Sequence, residues 1–448
     1  MIENINYDGI WWLPDNPDQK VSGSLKIVPG TAAKLSLIGS FRSIKDIFNT
    51  NNDKVTIFGS LPDGKNISLY KCQAINSRIS SSGFPIESYI AQTIAIGSHI
   101  KELDDIRFKR VYIHFSNLDD WVNISGFDIQ QLEYTINYRR PEPIKVNIED
   151  CGISIEFEVE GPTRSFVQKE AYIKQKTFLK IEFSEEKPLE DFEYVEKLFR
   201  NFLTLGVGVP VRSLEFKGFS EKDIYDSVEM IYSAVDIAQK EIFPPNMLFT
   251  FKDVSIKFEN YLTNWFRKAE FLDVVYDLYF SPFYNPKMYS EHIFLSLVQA
   301  IESYHRRTTE NRELPQEEHD QRIRDILGGV PDAHKSWLES RLEYSNEPRL
   351  RKRLNDVIDR YPGIIGKSKD KKQFINNVID TRNYLTHYDS KLKERAATDV
   401  KGLYDITQRL KHMLELCFLA ELGFDETEIK NSKSYKHLAK SCPQDMGK

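Results

Sequence analysis

Cysteine is scarce: the 448-residue chain has four, Cys72, Cys151, Cys417 and Cys442, widely scattered and without a C-x-x-C pair. That excludes a disulfide framework and a zinc knuckle, and it fits a reducing compartment. No run of about 18 apolar residues occurs, so no segment reads as a membrane-spanning helix. The opening Met1-Ile-Glu-Asn-Ile-Asn-Tyr-Asp8 carries neither a basic stretch nor an apolar run, which argues against a signal peptide. A strong charge of either sign is also missing. The formal net charge of −6 is mild, so any nucleic-acid site must be local rather than a global field. The histidines show no His-x3-His spacing, and neither a metal nor a cofactor is expected. There are no internal repeats and no long low-complexity tract. What remains is ordinary globular material, 40% hydrophobic and 12% aromatic. The length exceeds one ordinary core, so two or three domains of a cytoplasmic protein are expected, with no membrane partner.

The first part reads as β. Short runs of Val, Ile, Phe, Tyr and Leu recur between turn residues: Ser24–Val28, Lys34–Ile38, Lys54–Phe58, Asn66–Tyr70, Arg110–Phe115, Gln131–Tyr138 and Gly152–Val159. The last alternates apolar and polar residues, as a half-solvated strand does. Leu61-Pro-Asp-Gly64 has the composition of a turn, with proline presetting φ and glycine accepting positive φ. Many short strands at this spacing predict a sandwich or barrel-like domain. Trp11 and Trp12 are adjacent, so on a strand they point to opposite faces, one into the core and the other toward a possible ligand or partner surface. Helical character first enters near Asp191–Leu203, followed by a strand-like Val211–Phe216.

From about Ile256 the apolar spacing turns helical. Predicted helices cover the region of Trp265 to Tyr276, His292 to Arg307, Lys335 to Tyr344, Leu350 to Tyr361, Lys371 to His387 and Asp399 to Leu422, the last stopped by Gly423. The expected organisation is a β-rich domain over 1–240, a connecting segment over 241–270, a helical domain over 271–430 and a loose polar tail over 431–448.

The segment Lys372 to Asp389 carries the chemistry. Phe374, Ile375, Val378, Ile379 and Leu385 define an apolar stripe, and Arg382 falls three and four residues after Ile379 and Val378. A guanidinium on that face needs an anion. The anion is either a carboxylate of the fold, such as Glu302 on a neighbouring helix, or a substrate phosphate, which guanidinium matches with two parallel hydrogen bonds. His387 stands five residues on, with polar Asn383 between. Imidazole takes and returns a proton near neutral pH. Arginine and histidine together suffice to cut RNA without a metal, because RNA supplies its own nucleophile, the 2′-hydroxyl. On a regular helix, positions five apart diverge by roughly 140° and rise about 7.5 Å. Either the helix ends before His387, or two copies of the motif face each other.

Arg-x4-His with a polar residue directly after the arginine resembles the signature of HEPN ribonuclease domains. The text Arg382-Asn-Tyr-Leu-Thr-His-Tyr-Asp389 resembles the ApeA-type HEPN proteins of bacterial anti-phage defence in particular. Gly9-Ile-Trp-Trp-Leu-Pro-Asp-Asn-Pro17, Val21–Leu25 and Leu35–Gly39 resemble the opening of that family's N-terminal domain, and Ser296–His305 its first HEPN helix. The resemblance implies an α+β chain in which a β-rich sensor or regulatory domain precedes an all-α HEPN bundle. It further implies a homodimer or higher even oligomer, a composite cleft with two Arg-His pairs, and metal-independent endoribonuclease activity in abortive infection, with transfer RNA a candidate target and a phage-derived trigger. Arg382 would stabilise the phosphate, His387 would be the general acid–base, Asn383 would orient the backbone or the histidine, and Glu302 would hold Arg382. The competing readings are a non-catalytic HEPN interaction or oligomerisation module with a ligand- or phage-protein-binding N-terminal domain, and a carbohydrate- or peptide-binding sandwich on a helical stalk.

Arg349 to Lys372 holds nine basic residues against three acidic ones, a local net of +6 that leads into the motif. It reads either as a solvated face or as an RNA-backbone groove built from Arg349, Arg351, Lys352, Arg353, Lys371 and Lys372. Gly363-Ile-Ile-Gly-Lys-Ser368 is not a phosphate loop, since Tyr361 occupies the position of the required first glycine and no strand precedes it.

Overall fold

The computed structural model describes residues 5–28, 31–41, 54–78, 85–130, 135–149, 152–160, 174–221, 226–232, 241–365 and 368–440. Cys151, Cys442, Gly366 and Lys367, and the first half of the predicted strand Gln131–Tyr138, lie outside these residues. The chain divides into two compact units, Met1–Thr263 and Asn264–Lys448.

The first unit is built on a sheet of 13 strands. Six close into a barrel: β1 (Ile5–Leu13), β2 (Asn16–Ile27), β3 (Ala33–Ile38), β4 (Val55–Ser60), β5 (Asn66–Arg78) and β6 (Ile86–Ala91). They run in the order β5-β4-β1-β2-β3-β6, and the β5–β6 pairing completes the circle. The interior is filled by alternate residues of each strand, among them Trp11, Leu25, Leu35, Leu37, Ile57, Ile67 and Leu69. The two tryptophans separate as the pleat requires: Trp11 is fully buried and Trp12 half-buried. Trp11 lies directly across from Gly59 in the β1–β4 ladder. A Cβ on Gly59 would fall 2.3 Å from the indole ring, so only glycine fits there. The Leu61–Gly64 turn forms between β4 and β5, with Gly64 at φ +84° and its N–H donating to the Leu61 carbonyl at 3.0 Å.

From β5 the sheet continues through β7 (Thr93–Ile96), β15 (Val228–Tyr232), β14 (Ser213–Phe219), β8 (Arg107–Phe115), β13 (Lys176–Pro188), β12 (Ile153–Glu160) and β11 (Ile144–Ile148). β12 alternates as its sequence requires, burying Ile153, Ile155 and Phe157. After the short helix α1 (Leu118–Val122), α2 (Leu189–Val207) lays Phe192, Val195, Phe199 and Phe202 on β8 and β13, and it stops at Gly208 in the left-handed conformation. β9 (Phe127–Gln130) and β10 (Thr135–Tyr138) form a separate two-stranded ribbon. The β-rich, barrel-containing character expected from the sequence is therefore present.

α3 (Phe258–Tyr284) contains the division between the units. The second unit is helical. It comprises α4 (Ser290–Thr308), α5 (Gln316–Gly328), α6 (Asp332–Leu342), α7 (Leu350–Asp359), α8 (Ser368–His387), the single turn α9 (Ser390–Lys393), α10 (Val400–Leu422), α11 (Glu426–Asn431) and α12 (Lys433–Lys440). α10 is the central element: Leu403, Ile406, Leu410, Leu414, Cys417 and Phe418 are all buried, and it packs on α4 and α12. α8 packs on α4, α7 and α10. The segment expected to be a loose tail instead begins with α12, which buries Ser434 and Leu438. Residues 441–448 are not described.

Candidate active site

α8 presents Phe374, Ile375, Val378 and Thr381 to the core. The buried stripe therefore continues through Thr381, whose hydroxyl accepts the Ala397 N–H at 2.9 Å, and not through position 382. Arg382 sits on the flank of the stripe, half-buried. Its Nη1 donates to Asn383 Oδ1 at 3.2 Å, so Asn383 steadies the arginine rather than the histidine. Among the described residues no carboxylate lies within ion-pair distance of Arg382. The neighbouring Asp380 is taken by Arg395 at 3.0 Å. The expected pair with Glu302 does not form. Glu302 is on α4, and its charge acts on Arg353.

The helix runs unbroken through His387, its last residue, so the first of the two geometric alternatives is excluded. His387 is exposed and makes no hydrogen bond with Arg382. Termination follows at Tyr388, whose φ is +52° and whose N–H donates to the Tyr384 carbonyl at 2.6 Å. Asp389 then caps α9 by accepting the Lys391 N–H at 3.0 Å.

The basic run divides into three kinds of residue. Arg349, Arg351 and Lys372 are exposed. Lys352 and Lys371 are tied to Asp356 and Asp359 at 2.5 and 2.6 Å. Arg353 is only 3% exposed and cannot lie against an RNA backbone. Its guanidinium donates to His305 Nδ1 at 3.2 Å and faces Glu347 at 3.7 Å, while Glu347 also pairs with Arg306 at 2.5 Å. His305 Nε2 in turn meets Asp356 Oδ2 at 3.0 Å. This chain fixes the tautomer: Nε2 carries the proton that Asp356 accepts, and Nδ1 is left to accept from Arg353. Burial, with the Arg353 charge adding to it, pushes the His305 pKa below its ordinary value. The network knits α4 to α7, and α8 packs on both helices.

Sequence reasoning passed over two basic residues nearer to the motif, Lys391 and Lys393, both exposed on α9 directly after it. Their signal was simple adjacency, hidden by the larger run upstream. The rejected phosphate-loop reading stands on Tyr361, which is buried with its hydroxyl donating to the Leu416 carbonyl at 3.1 Å. Among the described residues no group of three or more His, Cys, Asp or Glu is placed to hold a metal ion, and no helix is long and apolar enough to cross a membrane.

A strand-rich domain with a closed barrel, followed by a helical bundle whose long helix ends in Arg-Asn-x3-His, has the organisation of a HEPN protein with an N-terminal extension. Two family models match accordingly: one described as ApeA N-terminal domain 1 over residues 6–265, the other as Apea-like HEPN over residues 295–428. The chain belongs to the ApeA-type HEPN family. Its HEPN domain is of the nuclease type associated with anti-phage defence. Comparison with curated proteins and with solved structures gives no match.

Proposed function

We propose that this protein is a metal-independent endoribonuclease that cuts host RNA, transfer RNA among the candidates, in cytoplasmic anti-phage defence. The observation that carries the reading is Arg382: a half-buried guanidinium with no carboxylate in ion-pair distance among the described residues, on a helix that ends in an exposed histidine. A cation so placed is matched by a phosphodiester. In the step envisaged, the 2′-hydroxyl oxygen attacks phosphorus and the P–O5′ bond breaks. The 2′-proton leaves to one imidazole and the 5′-oxygen gains a proton from another. Arg382 neutralises charge on the non-bridging oxygens. Because Arg382 and His387 diverge by roughly 140° on one helix, the working cleft is taken to be composite, with one set from each protomer of a dimer. The N-terminal unit is taken to sense a phage-derived trigger, its differential affinity for two states setting whether the cleft is open.

The test is incubation of the purified full chain with total RNA in excess EDTA. The reading expects cleavage with 2′,3′-cyclic phosphate ends. Strict Mg²⁺ dependence or 3′-hydroxyl ends would refute it, as would an active monomer in sedimentation at assay concentration for the composite cleft.

A further inference from the structure

Tyr388, the residue after His387, is placed at some cost to the backbone and gives little back to the fold. Among the described residues, five non-glycine positions have positive φ: Lys71, Asn117, Asn123, Asn311 and Tyr388. Asparagine tolerates this conformation through its short polar side chain. A tyrosine gains no such local hydrogen bond and adopts it at a cost, and the helix-terminating position it occupies is the one where glycine is the usual choice. Nor does the ring recover the strain by burial, since Tyr388 is 70% exposed and its hydroxyl has no hydrogen-bond partner among the described residues. The contact that orients it is an edge-on approach to the half-buried Tyr384, 5.7 Å between centroids at 62°. The outcome is an aromatic face held open to solvent, one peptide bond from the proposed general acid–base. Backbone strain of this kind at an exposed position points toward use rather than stability.

Resting on the ribonuclease reading above, we propose that Tyr388 is the stacking platform for a nucleobase beside the scissile phosphate, so that the substrate is single-stranded RNA with bases free of a helix. Every base offers a π-face, so a lone ring without a hydroxyl partner reads accessibility of a base rather than its identity. Paired bases in a duplex cannot be laid on it. The stack would fix the nucleotide next to His387, while Arg382 with Asn383 holds the phosphate.

The test uses the full chain and a 2′-O-methyl RNA 12-mer containing 2-aminopurine, which lacks the attacking hydroxyl and so reports binding without cleavage. The expected results are quenching of the 2-aminopurine on binding and at least fivefold weaker binding of the same strand annealed to its complement. Tyr388→Gly, which suits the left-handed backbone, is expected to lose affinity roughly 10-fold or more with a melting temperature equal to or above that of wild type. Tyr388→Phe is expected to restore binding to within about twofold of wild type. Unchanged affinity in Tyr388→Gly overturns the platform while leaving the ribonuclease reading intact. Equal binding of the duplex overturns the single-strand assignment. A lowered melting temperature in Tyr388→Gly makes the ring structural and also overturns the proposal. If wild type neither binds the strand nor cleaves total RNA, the ribonuclease reading itself fails and the platform with it.

Discussion

Replacing Arg353 with methionine separates a structural arginine from a nucleic-acid contact. Methionine keeps most of the buried stem but removes two interactions, the hydrogen bond to His305 Nδ1 at 3.2 Å and the charge facing Glu347 at 3.7 Å. Removing one partner of a fully buried ion pair costs about 3–5 kcal/mol. Here the loss is smaller, because Glu347 is partly exposed and keeps Arg306 at 2.5 Å. The hydrogen bond from a charged donor dominates, and with the residual charge effect it amounts to about 2–3 kcal/mol. For a unit of this size each kcal/mol lowers the melting temperature by about 2–4 °C, so a fall of roughly 4–12 °C is expected in the transition of the helical unit. Scanning calorimetry of the full chain measures it, beside Arg349→Ala and Arg351→Ala, both exposed and expected to shift stability by no more than about 0.5 kcal/mol. A methionine variant that melts within 1 °C of wild type yet binds RNA more weakly would refute the structural assignment and return Arg353 to the RNA surface.

Alanine at Arg382 or at His387 should lower RNA cleavage by on the order of 10²-fold or more while the circular dichroism spectrum stays that of wild type; near-normal turnover by folded His387→Ala protein would remove it from the mechanism. The His305 pKa is depressed in the folded chain, so the unfolded chain binds the extra proton first. Stability is then complete above the ordinary histidine value and falls as pH drops through it, and the melting temperature should decline between about pH 7 and 5. His437, also pushed down by burial and by His412, adds to that slope; His305→Gln should flatten part of it, and an unchanged profile would remove His305 as a contributor. Gly59→Ala should destabilise the first unit by about 1–3 kcal/mol through collision with the Trp11 ring, measured by denaturant unfolding, and a neutral result would mean the indole can move aside.

Much of the architecture was legible because one face of each element meets water. β12 and α10 announced themselves by periods of two and of about 3.6. β7 did not: all four of its residues are buried, so there is no alternation to read. α5 failed in the opposite way, burying only His319, so no apolar stripe marks it. The motif is legible as an arginine beside an apolar stripe. At Arg382 the apolar slot lies one residue earlier, because Thr381 takes the core position. In α7 an arginine does occupy the apolar stripe, because Arg353 joins Leu354, Val357 and Ile358 on the buried face. Surrounded by other basic residues, Arg353 instead passed as one more surface charge. No sequence pattern distinguishes a lysine paired with Asp356 or Asp359 from a free one, and positive φ at Tyr388 leaves no trace in a one-dimensional text.

The strand pair that builds the barrel also has a bearing on how the chain is made. Residues 86 to 96 run antiparallel to β5 almost without interruption, Gln92 bridging β6 and β7 through its N–H to the Tyr70 carbonyl. On their other edge the two halves part: β6 pairs with β3, already synthesised, whereas β7 pairs with β15, which begins at Val228. During translation the barrel can therefore close, with β7 paired to β5, while the other edge of β7 stays open for roughly 7–26 s at about 5–20 residues per second. An apolar strand, Thr-Ile-Ala-Ile, with a bare row of backbone donors and acceptors is a template for pairing with another nascent chain. Expression yield of this protein should thus depend on elongation speed between residues 96 and 228 and on chaperones that shield open strand edges, more than on anything in the helical unit.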